Sequence, residues 1–377
     1  MRQRILLLST VHPPTDPRIL YKIAPSIAAH YDVFCALPNA QNHFSEGNMT
    51  MIRLPQHRSL LARIILTHPV LLWKCLRLRP DLVHIFVPEL IPVAFLFQWL
   101  GATVIFEVQE NLYKKFEIKK YNKQVIFRML FKFFDHAARR NFYCILTEDA
   151  YLEEYQNLLK PSVIIYNYVS LPFVDKYLKL ENEAKNPVFF YSGVISMERS
   201  FDTLVAALVI LKERHPEVQV YLFGPVRFSH SEADQLPGYQ IVRKHITFFG
   251  YTDLRLAIPY ASNAIAGIAL LKPVADYPDS YTTKLFEYMA LKLPVITSNF
   301  PLYQQVVEES GCGFCISPYD AALLAEKMAW CIENRVKAKE IGINGRKAVQ
   351  SVYNWQNEEK KLLSFYEHTL TSRKHAA

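Results

Sequence analysis

The chain has 377 residues, too many for one ordinary domain and enough for two that each bury their own core. Its 51% hydrophobic and 21% charged residues exclude a disordered or low-complexity polypeptide. The formal charge of +8 points to an acidic partner, which leaves nucleic acid, a phosphorylated substrate or an anionic membrane surface.

The opening MRQRILLLSTVH has a basic start and a short apolar run, but His12, Pro13 and Pro14 interrupt it where a signal peptide would carry a cleavage site. It reads as a first strand. In the HPPTDPRI that follows, Asp16 as N-cap and Pro17 at the first helical position are explained by helix initiation. His12 and Arg18 are not, and they stand just beyond a strand end as candidate functional residues. Further apolar runs at 33–37, 82–87, 103–108, 144–147 and 163–166 have helical segments between them, which suits strands buried on both faces. His84 lies in one of these runs, either as a hydrogen-bonded structural histidine or as an acceptor contact. The most apolar stretch, 90–106, is too short for the roughly 20 residues of a spanning helix. Gln98 and Gly101 interrupt it, so it reads as a buried helix followed by a strand.

Between residues 111 and 142 there are nine basic residues against two acidic ones, with aromatic residues interleaved. A broad apolar face with a cationic border suits an anionic membrane surface, and the predicted contact covers 112–142. A core helix with a solvated basic face is the alternative. No nucleic-acid recognition motif accompanies the charge, so nucleic acid is not an expected partner.

After a polar stretch at 178–187 the apolar runs resume at 188–192, 218–223, 246–249, 264–271 and 294–297, which predicts a second parallel sheet. In such sheets ligands sit at the carboxyl ends of strands, and the cleft between two such domains is the default site. The run FFYSGVISMERSFDTLVAAL, 189–208, is a strand, a turn at Gly193 and a helix, with Arg199 just past the strand. Tyr251 and Asp253 follow another strand in ITFFGYTDL, where a turn capping the next helix explains them equally well. In DSYTTKLFEYMALKLPVITSN, 279–299, a polar loop meets an amphipathic helix and then a strand. Amides near Thr282, Thr283 and Lys284 would point out of the helix start, where a diphosphate can bind, and Lys284 adds a cation. Glu287 is placed to accept hydrogen bonds from ribose hydroxyls. Of six scattered cysteines only Cys312 and Cys315 approach a metal or redox spacing, and they read as packing residues of a reduced, cytoplasmic protein.

The motif from Asp279 to Glu287, with KLFEYMALKLPVI after it, resembles the retaining GT-B glycosyltransferases of family 4, the glycosyl transferases group 1. The segments YLFGP at 221–225, with Gly224, and GCGFCISPYDAALLAEKM at 311–328 extend the likeness over most of the second half. The resemblance implies an α/β fold of two Rossmann-like domains whose parallel sheets face an interdomain cleft. Residues 1–180 would recognise the acceptor and 187–350 the nucleotide-sugar donor, while a final helix at about 355–372, anchored by Trp355, packs back on the first domain. It implies that Asp279 contacts the donor sugar, that Glu287 binds the ribose, and that Arg199 neutralises the donor diphosphate. Lys284 compensates for Val194, which stands where the family often has a second arginine. Gly193, Gly224, Thr282, Thr283 and Tyr251 would complete the donor pocket.

On the acceptor side, Gln109 replaces the family's usual histidine near the reacting carbon. It can hydrogen-bond a hydroxyl but cannot take part in proton transfer. Glu110 is the adjacent carboxylate or a helix cap, and His12, Asp16 and Arg18 belong to the loop near donor phosphates and acceptor. Lys292 replaces a family glycine at the far end of the helix. The implied reaction is metal-independent and needs no cofactor beyond the nucleoside-diphosphate sugar substrate. The acceptor would be a glycan or a lipid-linked hydroxyl on the inner face of the plasma membrane. A nucleotide-sugar epimerase of the same fold, or a nucleotide-binding pseudoenzyme, is the alternative.

Overall fold

The structure, a computed structural model, describes residues 2–41, 45–110, 113, 125–178 and 186–374. The chain forms two compact units, Met1–Asn167 with Trp355–Ala377, and Tyr168–Asn354. The division falls earlier than the polar stretch at 178–187 because the residues before that stretch pack within the second unit. Tyr168 sets its ring edge-on to Phe286 and Tyr353, and Arg346 donates to Asp175 at 2.7 Å.

In the first unit the strands are β1 (Arg4–Leu8), β2 (Asp32–Pro38), β3 (Ser45–Glu46), β4 (Met49–Leu54), β5 (Leu82–Ile85), β6 (Thr103–Val108), β7 (Tyr143–Leu146) and β8 (Ser162–Ile164). They form one sheet in the order β3-β4-β2-β1-β5-β6-β7-β8, parallel except for β3 on β4. Successive side chains of a strand point to opposite faces, so Ile5 and Leu7 enter one apolar layer and Leu6 and Leu8 the other. The first layer is closed by the helix Trp355–Lys374, through Trp355, Leu362, Phe365 and Leu370. Trp355 is buried there, and its indole N–H donates to Ser26 Oγ at 2.9 Å, so this helix anchors on the first unit. The second layer is covered by helices His68–Cys75, Ile91–Trp99 and Val125–Asn141.

In the second unit the strands are β9 (Val188–Ser192), β10 (Gln219–Phe223), β11 (Ile246–Gly250), β12 (Ala266–Ala269), β13 (Val295–Ser298) and β14 (Gly313–Ile316). They run in the order β11-β10-β9-β12-β13-β14, and every pairing is parallel. Helices Phe201–Leu211 and Ala321–Glu333 pack on one face. On the other, Tyr288 from the helix Thr283–Ala290 lies flat against Gly267, where any Cβ would come within 2.2 Å of the ring. No helix among the described residues is long and apolar enough to cross a membrane. All six cysteines are unpaired, and burial pushes the Cys312 and Cys315 thiols up to about 12, as packing residues rather than reactive thiols would have it.

Candidate active site

In the second unit the strand order reverses between β9 and β12, and in open parallel sheets such a switch point opens a crevice at the carboxyl ends of the strands. The candidate residues gather there. Gly193 directly follows β9 with φ +127°, a conformation that favours glycine. A Cβ at this position would stand 3.4 Å from Lys284 Nζ and 3.6 Å from Arg199 Nη1. Two cations from separate segments therefore converge on one stretch of bare backbone. Arg199 ends the single helical turn Met197–Arg199 and is held by the phenols of Tyr191 and Tyr277, whose ring it faces at 5.6 Å. Lys284 is only 4% exposed, and its ammonium lies over the Tyr191 ring at 5.3 Å. Burial, followed by the charge of Arg199, holds the Lys284 amine well below the usual lysine range against the pull of Glu287. Such a pair is relieved by an anion.

The helix Thr283–Ala290 begins beside these cations. Thr282, in extended conformation at its N-cap, makes no side-chain capping hydrogen bond, and its hydroxyl instead accepts from Lys284 Nζ at 3.4 Å. One turn in, Glu287 Oε2 accepts from Ser192 Oγ at 3.2 Å, which ties it to the end of β9. Asp279 ends the short turn Tyr277–Asp279 ahead of the helix and is exposed. Tyr251 is exposed too, whereas Asp253 caps the helix Leu254–Ala261 and pairs with Arg255, so the turn reading accounts for it.

Gly224 lies against the same turn. A Cβ there would come within 1.9 Å of the Gly193 carbonyl oxygen, so packing against the Gly193 turn alone requires glycine at this position. Tyr191 and Tyr277, which hold Arg199, were missed by sequence reasoning. Their only signal was an aromatic residue on each of the two segments that carry the cations.

In the first unit the switch lies between β1 and β5. His12 follows β1, with Nδ1 2.8 Å from Ser9 Oγ and its ring edge-on to Phe86. Three acceptor-side expectations are corrected here. The Asp16 carboxylate accepts from the backbone amides of Arg18 and Ile19, so it serves helix initiation. Arg18 is 4% exposed, and it donates to both carboxylate oxygens of Glu107 at 2.8 and 3.0 Å and to the Ile165 carbonyl. His84 is fully buried, stacked on Phe86, with Nδ1 2.6 Å from the Tyr366 hydroxyl and Nε2 3.5 Å from Glu107. Arg18 and His84 therefore build the core under the strand ends rather than a substrate surface.

Glu107 is the centre of that core, and sequence reasoning passed over it although a carboxylate inside the apolar run VIFEV requires a buried cation. Burial pushes its pKa up, but Arg18 and the His84 hydrogen bond outweigh burial and hold the carboxyl below the usual carboxylate range. Burial likewise holds His84 below the ordinary histidine value. Gln109, two residues on and half-buried at the end of β6, donates from Nε2 to Glu107 Oε1 at 2.6 Å. Glu110 beside it is exposed. Of the segment at 112–142, expected to meet a membrane, residues 112 and 114–124 lie outside the described residues, while Met129, Leu130 and Phe133 are exposed on the helix Val125–Asn141. No cluster of metal-ligating side chains occurs among the described residues.

The sequence profile of the glycosyl transferases group 1 matches residues 176–348. The chain is similar to spore coat protein SA of Bacillus subtilis, 24% identical over 189 residues, 48% of either protein. It is similar also to the capsular polysaccharide biosynthesis glycosyltransferase CapM of Staphylococcus aureus, 26% identical over 197 residues, 51% of this chain and 48% of CapM. These matches span about half the length of the curated relatives. Among solved structures, sucrose-phosphate synthase of Thermosynechococcus elongatus superposes with a TM-score of 0.75 at 20% identity, covering 98% of this chain and 100% of the other. Anabaena HepE, solved in complex with UDP-glucose, superposes with a TM-score of 0.70 at 14% identity, covering 98% and 100%. Such likeness carries the fold, two Rossmann-like units of the GT-B class. The profile match covers nearly the whole of the unit that gathers Gly193, Arg199, Lys284 and Glu287, so the likeness to the glycosyl transferases group 1 falls on the unit that carries these residues.

Proposed function

We propose that the chain is a retaining glycosyltransferase. It moves a sugar from a nucleoside-diphosphate donor to a hydroxyl of a glycan or lipid-linked acceptor in cell-surface polysaccharide assembly. The observation that carries this reading is the convergence of Lys284 and Arg199 on Gly193 beside the start of the helix Thr283–Ala290. Preorganised donors aimed at developing charge supply the largest single contribution in many enzymes, and here the charge develops on the departing diphosphate. Arg199, Lys284 and the first-turn amides at Thr282 and Thr283 would receive it, with no metal called for. Glu287 would hold the ribose and Asp279 the sugar. The solved HepE complex with UDP-glucose supports a nucleotide sugar as the donor class.

In this reading the bond from the anomeric carbon to the phosphate oxygen breaks, and both its electrons leave with the diphosphate. The acceptor oxygen bonds to the same face of that carbon, and its proton passes to the departing phosphate. The protein supplies no strong base, which is consistent with glutamine at 109. His12 and Gln109 orient the reacting groups. Contact of 112–142 with the inner face of the plasma membrane would bring a lipid-linked acceptor within reach.

The test is a thermal-shift screen against nucleoside diphosphates, followed by transfer assays with and without acceptor. A diphosphate at 100 times its dissociation constant adds about 2.7 kcal/mol of stability. Arg199→Ala should lower kcat by roughly 10²- to 10³-fold. Unchanged transfer in both Arg199→Ala and Glu287→Ala would overturn the site. Turnover of the nucleotide sugar to an isomer without acceptor would identify an epimerase instead.

A further inference from the structure

Residues 47–80 of the first unit contain no Asp or Glu, and they contain Arg53, Arg58, Arg63, Lys74, Arg77 and Arg79. Arg63 is satisfied internally by a two-point pair with Glu89, at 2.7 and 2.6 Å. Glu89 also accepts from Thr10, and Asp81, which follows the stretch directly, accepts from the backbone amide of Arg4 at 2.9 Å, so both neighbouring carboxylates are engaged within the fold. Arg53, Arg58, Arg77 and Arg79 remain exposed.

The same stretch leaves large apolar side chains in solvent. Ile64, Ile65 and Leu66 are exposed in succession, and one of three consecutive residues on a helical turn would ordinarily face the core. Trp73, on the helix His68–Cys75, is 60% exposed and carries the Arg77 guanidinium 4.7 Å from its ring centroid. On the same side of the sheet, the helix Ile91–Trp99 leaves Trp99 76% exposed. Large apolar side chains left in solvent together over so short a stretch mark a docking site. Tryptophan and arginine side by side suit the boundary between lipid headgroup and acyl chain.

We infer that the outer face formed by residues 58–79 is an interfacial surface that seats the first unit on an anionic lipid bilayer. Charge decides between this occupant and a second copy of the chain. An isologous contact sets a patch against itself, which would bring the uncompensated arginines of one copy onto those of the other. An anionic bilayer answers both halves of the patch, because its headgroups neutralise the arginines and its acyl boundary takes up Ile65, Leu66 and Trp73. The surface is separate from the segment at 112–142, and it requires neither donor nor acceptor.

The test is sedimentation of the full chain with phosphatidylglycerol and with phosphatidylcholine vesicles, read together with tryptophan emission. Binding to phosphatidylglycerol alone is expected, weakened by salt, with a blue shift that Trp73→Phe removes. The pairs Ile65→Ser with Leu66→Ser, and Arg58→Glu with Arg77→Glu, should each weaken it tenfold or more, at roughly 1 kcal/mol per interfacial charge. These side chains are exposed, so the thermal midpoint should hold, and should one pair fail to fold the other carries the test. Equal binding to both vesicles, or binding unchanged by the folded pair, overturns the proposal. So does loss in these variants of a concentration-dependent dimer that forms without vesicles. A chain that binds vesicles but transfers no sugar keeps this surface and loses only the transferase reading.

Discussion

Glu107 holds the side chain of Gln109 by its amide nitrogen, 2.6 Å from Oε1. A carboxylate only accepts, so the nitrogen end of the amide is committed inward and the carbonyl oxygen is the end left to meet a hydroxyl. Gln109→Leu should therefore lower the rate of sugar transfer by roughly 10- to 100-fold while leaving nucleoside-diphosphate affinity unchanged, since an orienting hydrogen bond is worth about 1–3 kcal/mol. Steady-state kinetics beside a diphosphate titration separates the two. Glu107→Ala strands the buried Arg18 and should cost about 3–5 kcal/mol of stability, measured by urea unfolding.

Diphosphate affinity should fall as pH rises through a range below that of an ordinary lysine. The Lys284 amine is held well below its usual value by burial and then by Arg199, so it sheds its proton early on the alkaline side. An anion at Gly193 favours the charged form, and binding there takes up a proton. Calorimetry in two buffers of different ionisation enthalpy would report that uptake. Lys284→Arg should flatten the alkaline limb, because a guanidinium stays protonated.

Acid should weaken the first unit in two stages. An unfolded histidine takes a proton near pH 6.5, while His84 in the fold is held below that value, so the unfolded chain binds more protons and stability drops as pH falls below about 6.5. Glu107 has the complementary effect, with stability present above its unfolded value of 4.5 and lost as pH falls through its depressed folded value. Unfolding free energy measured from pH 8 to pH 5 should decline by up to about 1.4 kcal/mol per pH unit in this window. His84→Gln should remove most of that slope.

Two left-handed residues offer stabilising changes. Lys292 has φ +60° just after the helix Thr283–Ala290, a position that glycine fills without strain. Ser200 has φ +58°, and its buried hydroxyl has no hydrogen-bond partner. Lys292→Gly and Ser200→Gly should each raise stability by about 0.5–1.5 kcal/mol, offset in part by the freedom glycine gains in the unfolded chain. Thermal midpoints of the single and double variants check this.

The buried strands were legible because a strand covered on both faces needs an unbroken apolar run, as at 188–192 and 264–271. β4 escaped, since MTMIRL near the sheet edge alternates buried and half-buried positions and carries an arginine. β14 escaped because it is four residues long and opens on glycine. At the site, Arg199, Lys284 and Glu287 could be found because each sits at a fixed offset from a turn or a helix start. His84, Arg18 and Glu107 were harder to assign. Polar residues that meet across 89 positions of sequence look alike in the one-dimensional chain, whether they face substrate or one another.

The first unit is interrupted: its sheet ends at β8, and the helix that completes its core begins at Trp355. During synthesis the intervening 168–354 emerges whole and is free to fold, while the earlier sheet still lacks the cover that Trp355, Leu362 and Tyr366 provide. The unit translated first is thus the last to mature. A ribosome stalled before residue 355 would present a finished second unit joined to an open apolar sheet, the kind of surface that chaperones capture.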